Sequence, residues 1–107
     1  MNHIEKLAIR QALEALAVDY WYEVDFNWGQ DAHAYYTEDA VFTTSQKSRT
    51  GRAAIADFYN ARQARGARPS LHVVQNFRVV PVSPQRVDCN YVMSLYAADG
   101  EGVLPSR

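Results

Sequence analysis

Residues 71–80 read LHVVQNFRVV, and the interpretation of this stretch decides the fold. β-Branched and apolar residues dominate it and neither glycine nor proline interrupts it, which predicts a strand. Strict alternation puts His72 on one face with Val74, Asn76, Arg78 and Val80. The more apolar face then carries Leu71, Val73, Phe77 and Val79. The expectation is that the His72 face lines a pocket and the apolar face packs on another subunit. Pro81 and Pro84 bracket a turn, because proline cannot donate into a ladder. Arg86–Ala97 is a second long strand, expected to pair with the first as an antiparallel hairpin.

Upstream, residues 3–28 predict one long helix. Ile9, Leu13, Leu16, Tyr20 and Val24 recur at spacings of three and four, one face at the helical period. Trp21, Asp25 and Trp28 form an adjoining row, which places Asp25 between two indoles, and Gly29 is a natural stop. Residues 31–36 suit a short helix beginning near Asp31. Ala40–Thr44 suits a short strand and Ser45–Arg49 a basic loop. Thr50 is expected to cap a second main helix over Arg52–Arg65, with Ile55, Phe58, Tyr59 and Arg62 on one side and Gly66 at its end. After the hairpin, Ala98–Gly102 reads as a turn, and Leu104–Arg107 close the sequence. Three strands and two main helices are few for a closed core. Either a C-terminal segment is lacking or a partner chain covers the open edge.

The 107 residues suit one domain, residues 1–107. An apolar fraction of 48% and a net charge of −1 indicate a globular chain with no pull toward nucleic acid or anionic membrane. The N-terminus MNHIEKLAIR lacks the apolar centre of a signal peptide. No apolar run approaches the ~20 residues of a membrane span. A cytoplasmic protein is expected. Cys89 is the only cysteine, so no internal disulfide forms, and its alternation with Val87, Tyr91 and Met93 reads as a small buried hydrophobe. From Lys47 to Arg86 the only acid is Asp57; this basic series could bind a substrate anion or nucleic acid, but Arg62, Arg65 and Arg68 read more readily as a solvated face that complements a helix end. His3, His33 and His72 are too dispersed for metal-ligand spacing, and no glycine-rich phosphate loop or G-x-S-x-G elbow occurs.

The residues with the most chemical content are Asp25 and His72. A carboxylate near a helix C-terminus meets the negative end of the dipole, and flanking indoles would strip its water, so Asp25 needs a partner. An imidazole of reference pKa about 6.5 suits general-base work near neutrality, and a carboxylate can select its tautomer and orient it. Otherwise Asp25 is a helix-end carboxylate and His72 a strand residue with a satisfied ring. Tyr20, Trp21, Trp28, Tyr59 and Tyr96 are candidates for an aromatic substrate-binding wall, with Asn90 a polar wall residue.

Three segments, VDFNWGQDAHAYYTEDAVF (24–42), TGRAAIADFY (50–59) and LHVVQNFRVV, follow the order long helix, short helix, strand, helix, long hairpin. The whole chain resembles the SnoaL-like branch of the nuclear-transport-factor-2-like superfamily. That resemblance implies an α+β cone: a curved antiparallel sheet around a pocket, with helices closing the wide end. It also implies two strands beyond the hairpin, which this sequence ends before. The superfamily holds dehydratases, isomerases, epoxide hydrolases, cyclases and inert binding proteins. The site is most similar to scytalone dehydratase and hexachlorocyclohexane dehydrochlorinase. Both place an aspartate late in the first helix and a histidine on the strand after the second main helix, which Asp25 and His72 match. The implied function is a cofactor-free lyase or isomerase for a small apolar or aromatic molecule, as a homodimer through the sheet. The alternative is a non-catalytic binding or accessory domain of the same fold. An epoxide-opening hydrolase would need a second carboxylate and an arginine, for which Asp88 with Arg78 is the candidate pair.

Overall fold

A computed structural model describes residues 1–45, 47–66 and 68–98. In chain order these form helix α1 (His3–Phe26), a 3-10 turn (Ala32–Tyr35), strands β1 (Val41–Thr43) and β2 (Ser48–Thr50), helix α2 (Arg52–Ala64), and strands β3 (Ser70–Ser83) and β4 (Arg86–Ala97). The class is α+β, with antiparallel sheets. The expected single curved sheet is not found among the described residues. Among the described residues β1 pairs only with β2, each three residues long, and β3 only with β4. The end of the expected turn, from residue 99, and Leu104–Arg107 lie outside the described residues.

Helix α1 starts with a reciprocal cap. The Asn2 side chain accepts from the Glu5 N–H at 2.8 Å and donates to the Glu5 carboxylate at 2.8 Å, satisfying a donor that the first turn leaves without a helical partner. The helix ends at Phe26, two residues before the expected limit. Trp28 and Gly29 both take left-handed backbone conformations, at φ 61° and 73°, and the N–H groups of Asn27 and Gly29 both return to the Glu23 carbonyl. Trp28 is thus outside the helical row of Trp21 and Asp25. Gly29 is required by contact as well as by φ. A Cβ there would come within 2.5 Å of the Tyr59 ring, so the end of α1 packs directly on α2.

Ser48–Thr50, expected as loop and cap, is instead β2. Thr50 pairs with Val41, and the N-cap of α2 is Gly51, at φ 95°, with no side-chain capping bond. A residue engaged in a ladder is not free to turn the chain into a helix, and glycine supplies the positive φ that does so. β3 also runs beyond its expected end, through Pro81, which pairs with Val87. The missing N–H is tolerated on a strand with one open edge.

The most consequential irregularity lies inside β3. From Val74 to Val79 this strand uses one more residue than β4 uses from Cys89 to Met93. The extra residue is a β-bulge at Asn76, whose φ is 53°. Beyond it the parity reverses. Ser70, His72, Val74, Phe77 and Val79 share one face, opposite Ala97, Leu95, Met93, Tyr91 and Cys89. The two-face division expected from strict alternation is corrected accordingly.

The core consists of Tyr20, Val24, Ala32, Ile55 and Tyr59, with Trp21, Tyr36, Ala40, Phe42 and Phe58 packed around it. Of the apolar face expected on α1, only Tyr20 and Val24 are buried, while Leu16 is 49% exposed. The side-chain contacts between α1 and the hairpin come from Trp21 and Asp25, in its C-terminal turns. Cys89, expected to be buried, is exposed, because it lies toward the hairpin turn and away from that contact.

Candidate active site

Asp25 is 2% exposed and is held by β3. Its Oδ2 accepts the backbone N–H of His72 at 2.7 Å. Its Oδ1 accepts the Ser70 hydroxyl at 2.8 Å and lies 2.6 Å from His72 Nδ1. Ser70 and His72 are two residues apart on a strand, so both side chains reach the same helix end. Burial raises the carboxyl's affinity for a proton. The hydrogen bonds from the His72 ring, the His72 backbone and Ser70 outweigh it, and the Asp25 pKa is held below the ordinary carboxylate value. A carboxylate at Nδ1 selects the tautomer protonated there. In the neutral ring Nε2 then carries the lone pair.

One turn before Asp25, the indole of Trp21 stacks on the His72 ring, with centroids 4.3 Å apart and planes inclined by 17°. Its Nε1–H donates to the Tyr91 hydroxyl at 2.9 Å, and the Tyr91 ring stacks on Phe77 at 5.5 Å. Helix, histidine and hairpin are thereby fixed to one another. The bulge lets Phe77, five residues after His72, share its face, where strict alternation would turn it to the other side.

Beside His72 lies a cavity of about 190 Å³. Trp21, Val24, Phe42, Phe58, Tyr59 and Leu95 form its apolar wall; His72, Ser70, Arg62 and Arg68 form its polar wall. Tyr20 stands behind this wall. The Tyr36 hydroxyl donates to the Tyr20 oxygen at 2.8 Å, and the Tyr20 and Tyr59 hydroxyls share a short hydrogen bond. Burial pushes the Tyr59 phenol up to about 12 and that of Tyr20 further still, so both are neutral at ordinary pH.

Of the eight residues singled out in the sequence, the structure brings Asp25, His72, Trp21 and Tyr59 together and sets Tyr20 directly behind them. Trp28, Asn90 and Tyr96 are placed elsewhere. Trp28 offers its carbonyl to the Gln63 side chain and does not line the cavity. Tyr96 pairs with Leu71 and Asn90 with Arg78, on the hairpin face opposite His72. Asp88 shares that outer face and bonds Arg86 at 2.7 Å, so the Asp88–Arg78 pair does not meet the cavity. Arg62 and Arg68, read as a solvated face, line the cavity, and so does Ser70, which the sequence reading passed over. Arg62 shares the buried side of α2 with Ile55 and Tyr59, and Ser70 stands two residues from His72; both spacings were readable. No group of three or more His, Cys, Asp or Glu among the described residues could hold a metal ion. No described helix is long and apolar enough to cross a membrane.

Two helices, antiparallel pairs and a carboxylate–imidazole pair beside a small cavity define an α+β chain consistent with the nuclear-transport-factor-2-like fold. Residues 5–104 match the SnoaL-like domain, and the chain belongs to that family. It is similar to a protein of Catenulispora acidiphila solved at 2.5 Å, with a TM-score of 0.78 and 17% identity over 89% of this chain and 70% of the other. That likeness speaks for the fold alone. No curated protein matches the chain.

Proposed function

We propose that this protein is a lyase or isomerase that needs no cofactor and acts on a small apolar or aromatic molecule. The observation that carries the reading is the 2.6 Å contact of His72 Nδ1 with Asp25 Oδ1 at the wall of the cavity. His72 Nε2 takes a proton from a carbon next to an electron-withdrawing group. Asp25 holds the ring in the needed tautomer and stabilises the imidazolium that forms. The electron pair left on carbon either expels a leaving group from the neighbouring carbon, an elimination, or is reprotonated elsewhere, an isomerisation. In both cases the imidazolium gives up its proton to close the cycle. The likeness of Asp25 and His72 to the pair in scytalone dehydratase and hexachlorocyclohexane dehydrochlorinase supports the same reading. A homodimer through the outer face of the hairpin belongs to this proposal.

The test is exchange of substrate C–H for deuterium, or elimination, followed by proton NMR with small aryl ketones, β-hydroxy ketones and halogenated rings. Turnover in the parent that is lost in His72→Gln and Asp25→Asn is the expected result. Ligands that shift the His72 resonances without exchange or elimination would instead mark a binding domain.

A further inference from the structure

The polar wall of the cavity carries more positive than negative charge. Arg62 and Arg68 both line it, and among the described residues no carboxylate does, with Asp25 reached from it through Ser70 and His72. Arg62 comes from the last turn of α2, which lacks any other basic residue. Its Nη2 donates to the Ser70 hydroxyl at 3.3 Å, and that hydroxyl donates to Asp25 at 2.8 Å. Arg62 is therefore one hydroxyl away from the carboxylate that orients His72. It forms no ion pair with any described residue, and a guanidinium offers five donors. Burial lowers its pKa, yet an arginine stays charged under any ordinary condition. A half-buried cation at the wall of a largely apolar cavity, with one of its five donors on Ser70, has a strong preference for an anion.

We infer that Arg62 is a specificity-determining residue that binds an anionic group of the substrate, so that the preferred ligands are small aromatic or apolar carboxylates. This rests on the proposed function in taking the His72 cavity as the substrate site. The ring of such a ligand packs on Trp21, Phe58 and Leu95. Its carboxylate meets Arg62, which brings the adjacent carbon to the His72 side of the cavity. Electron density that develops on the carboxylate as that carbon loses its proton is stabilised by the same guanidinium.

The test is calorimetric titration with phenylacetate and with its neutral isostere phenylacetamide. Phenylacetate should bind the parent on the order of tenfold more tightly, the worth of one hydrogen bond to a charged group. Arg62→Gln should remove that preference, weakening phenylacetate about tenfold while phenylacetamide moves less than about threefold. Equal binding of the two probes, binding of neither, or equal weakening of both by Arg62→Gln overturns the inference; the last is what a purely structural role through Ser70 would give. If Arg62→Gln does not fold, Arg62→Lys decides: it keeps the charge but loses the forked donors of the guanidinium, so a preference for phenylacetate that weakens or is lost supports the subsite, and one unchanged overturns it. Failure of the dyad chemistry is distinguishable: a parent that prefers phenylacetate yet exchanges no C–H proton keeps the anion subsite and loses the base.

Discussion

The Trp21 indole lies flat against the His72 imidazole, 4.3 Å between centroids, while its own N–H is tied to Tyr91. The ring of the proposed base is therefore fixed from two directions, by Asp25 at its edge and by Trp21 on its face. Trp21→Leu removes the face contact and leaves the Asp25 bond. Exchange or elimination should slow about tenfold, as expected when a positioned base loses its orientation. Stability should fall by about 2–4 kcal/mol for the lost aromatic packing. Turnover on the most active probe and urea denaturation of the same preparation measure the two effects.

Asp25→Asn separates orientation from charge. The amide keeps one acceptor in place of two, so it can serve the His72 backbone N–H or the Ser70 side but not both, and it no longer dictates the tautomer. Nitrogen-15 NMR of the imidazole should show the protonated-Nδ1 form dominant in the parent and a mixed population in the variant. Turnover should drop by roughly a hundredfold or more, within the range for loss of general-base function.

The Asp25 carboxyl also sets an acid limit on stability. Its folded pKa lies below the ordinary value. Its contribution is therefore complete above the unfolded pKa of about 3.9 and is lost as pH falls through the lower folded value. Urea midpoints measured from pH 6 downward should hold until that range and then decline. The decline should be shallower in Asp25→Asn, which has no proton to take up at this site.

Gly29 joins the end of α1 to the face of α2. Gly29→Ala combines a left-handed φ with a Cβ forced within 2.5 Å of Tyr59. The expected loss is about 2–4 kcal/mol, backbone strain plus overpacking. Because Tyr59 lines the cavity, ligand affinity should fall with stability, which calorimetry and denaturation on one sample would show.

Asn76 holds the bulge at φ 53°. Asn76→Gly should lie within about 1 kcal/mol of the parent, since glycine takes this conformation freely. Asn76→Val should cost about 1–3 kcal/mol, because a β-branched residue resists it. Thermal denaturation of the pair separates backbone strain from lost side-chain contacts.

Much of this architecture was legible in the sequence because it is periodic. The helices around Tyr20–Val24 and Ile55–Tyr59 and the hairpin of β3 with β4 followed from spacing alone. Asp25 and His72 stood out through a carboxylate in need of a partner and a histidine on a strand. What escaped was aperiodic. Trp28 was assigned to the helix because helical spacing continues past the point where Asn27 and Gly29 turn back on Glu23. Asn90 and Tyr96 were offered as wall residues without a register, and the register that pairs His72 with Leu95 turns both to the other face; nothing in LHVVQNFRVV except a lone asparagine marks the bulge. Arg62 was read as a solvated charge. Its neighbours on α2 already put it on the buried side, but only the cavity shows what it faces.

The single extra residue at Asn76 has a further consequence for how this chain can change. Asn76 and Phe77 together stand opposite the single Tyr91. Without Asn76 the ladder would be regular, with Gln75 still opposite Val92 and Phe77 opposite Tyr91, and plain alternation would keep Phe77 on the His72 face. The hairpin is thus open to being shortened by that one residue: what would go is the local kink of the strand, not the side on which its rings stand.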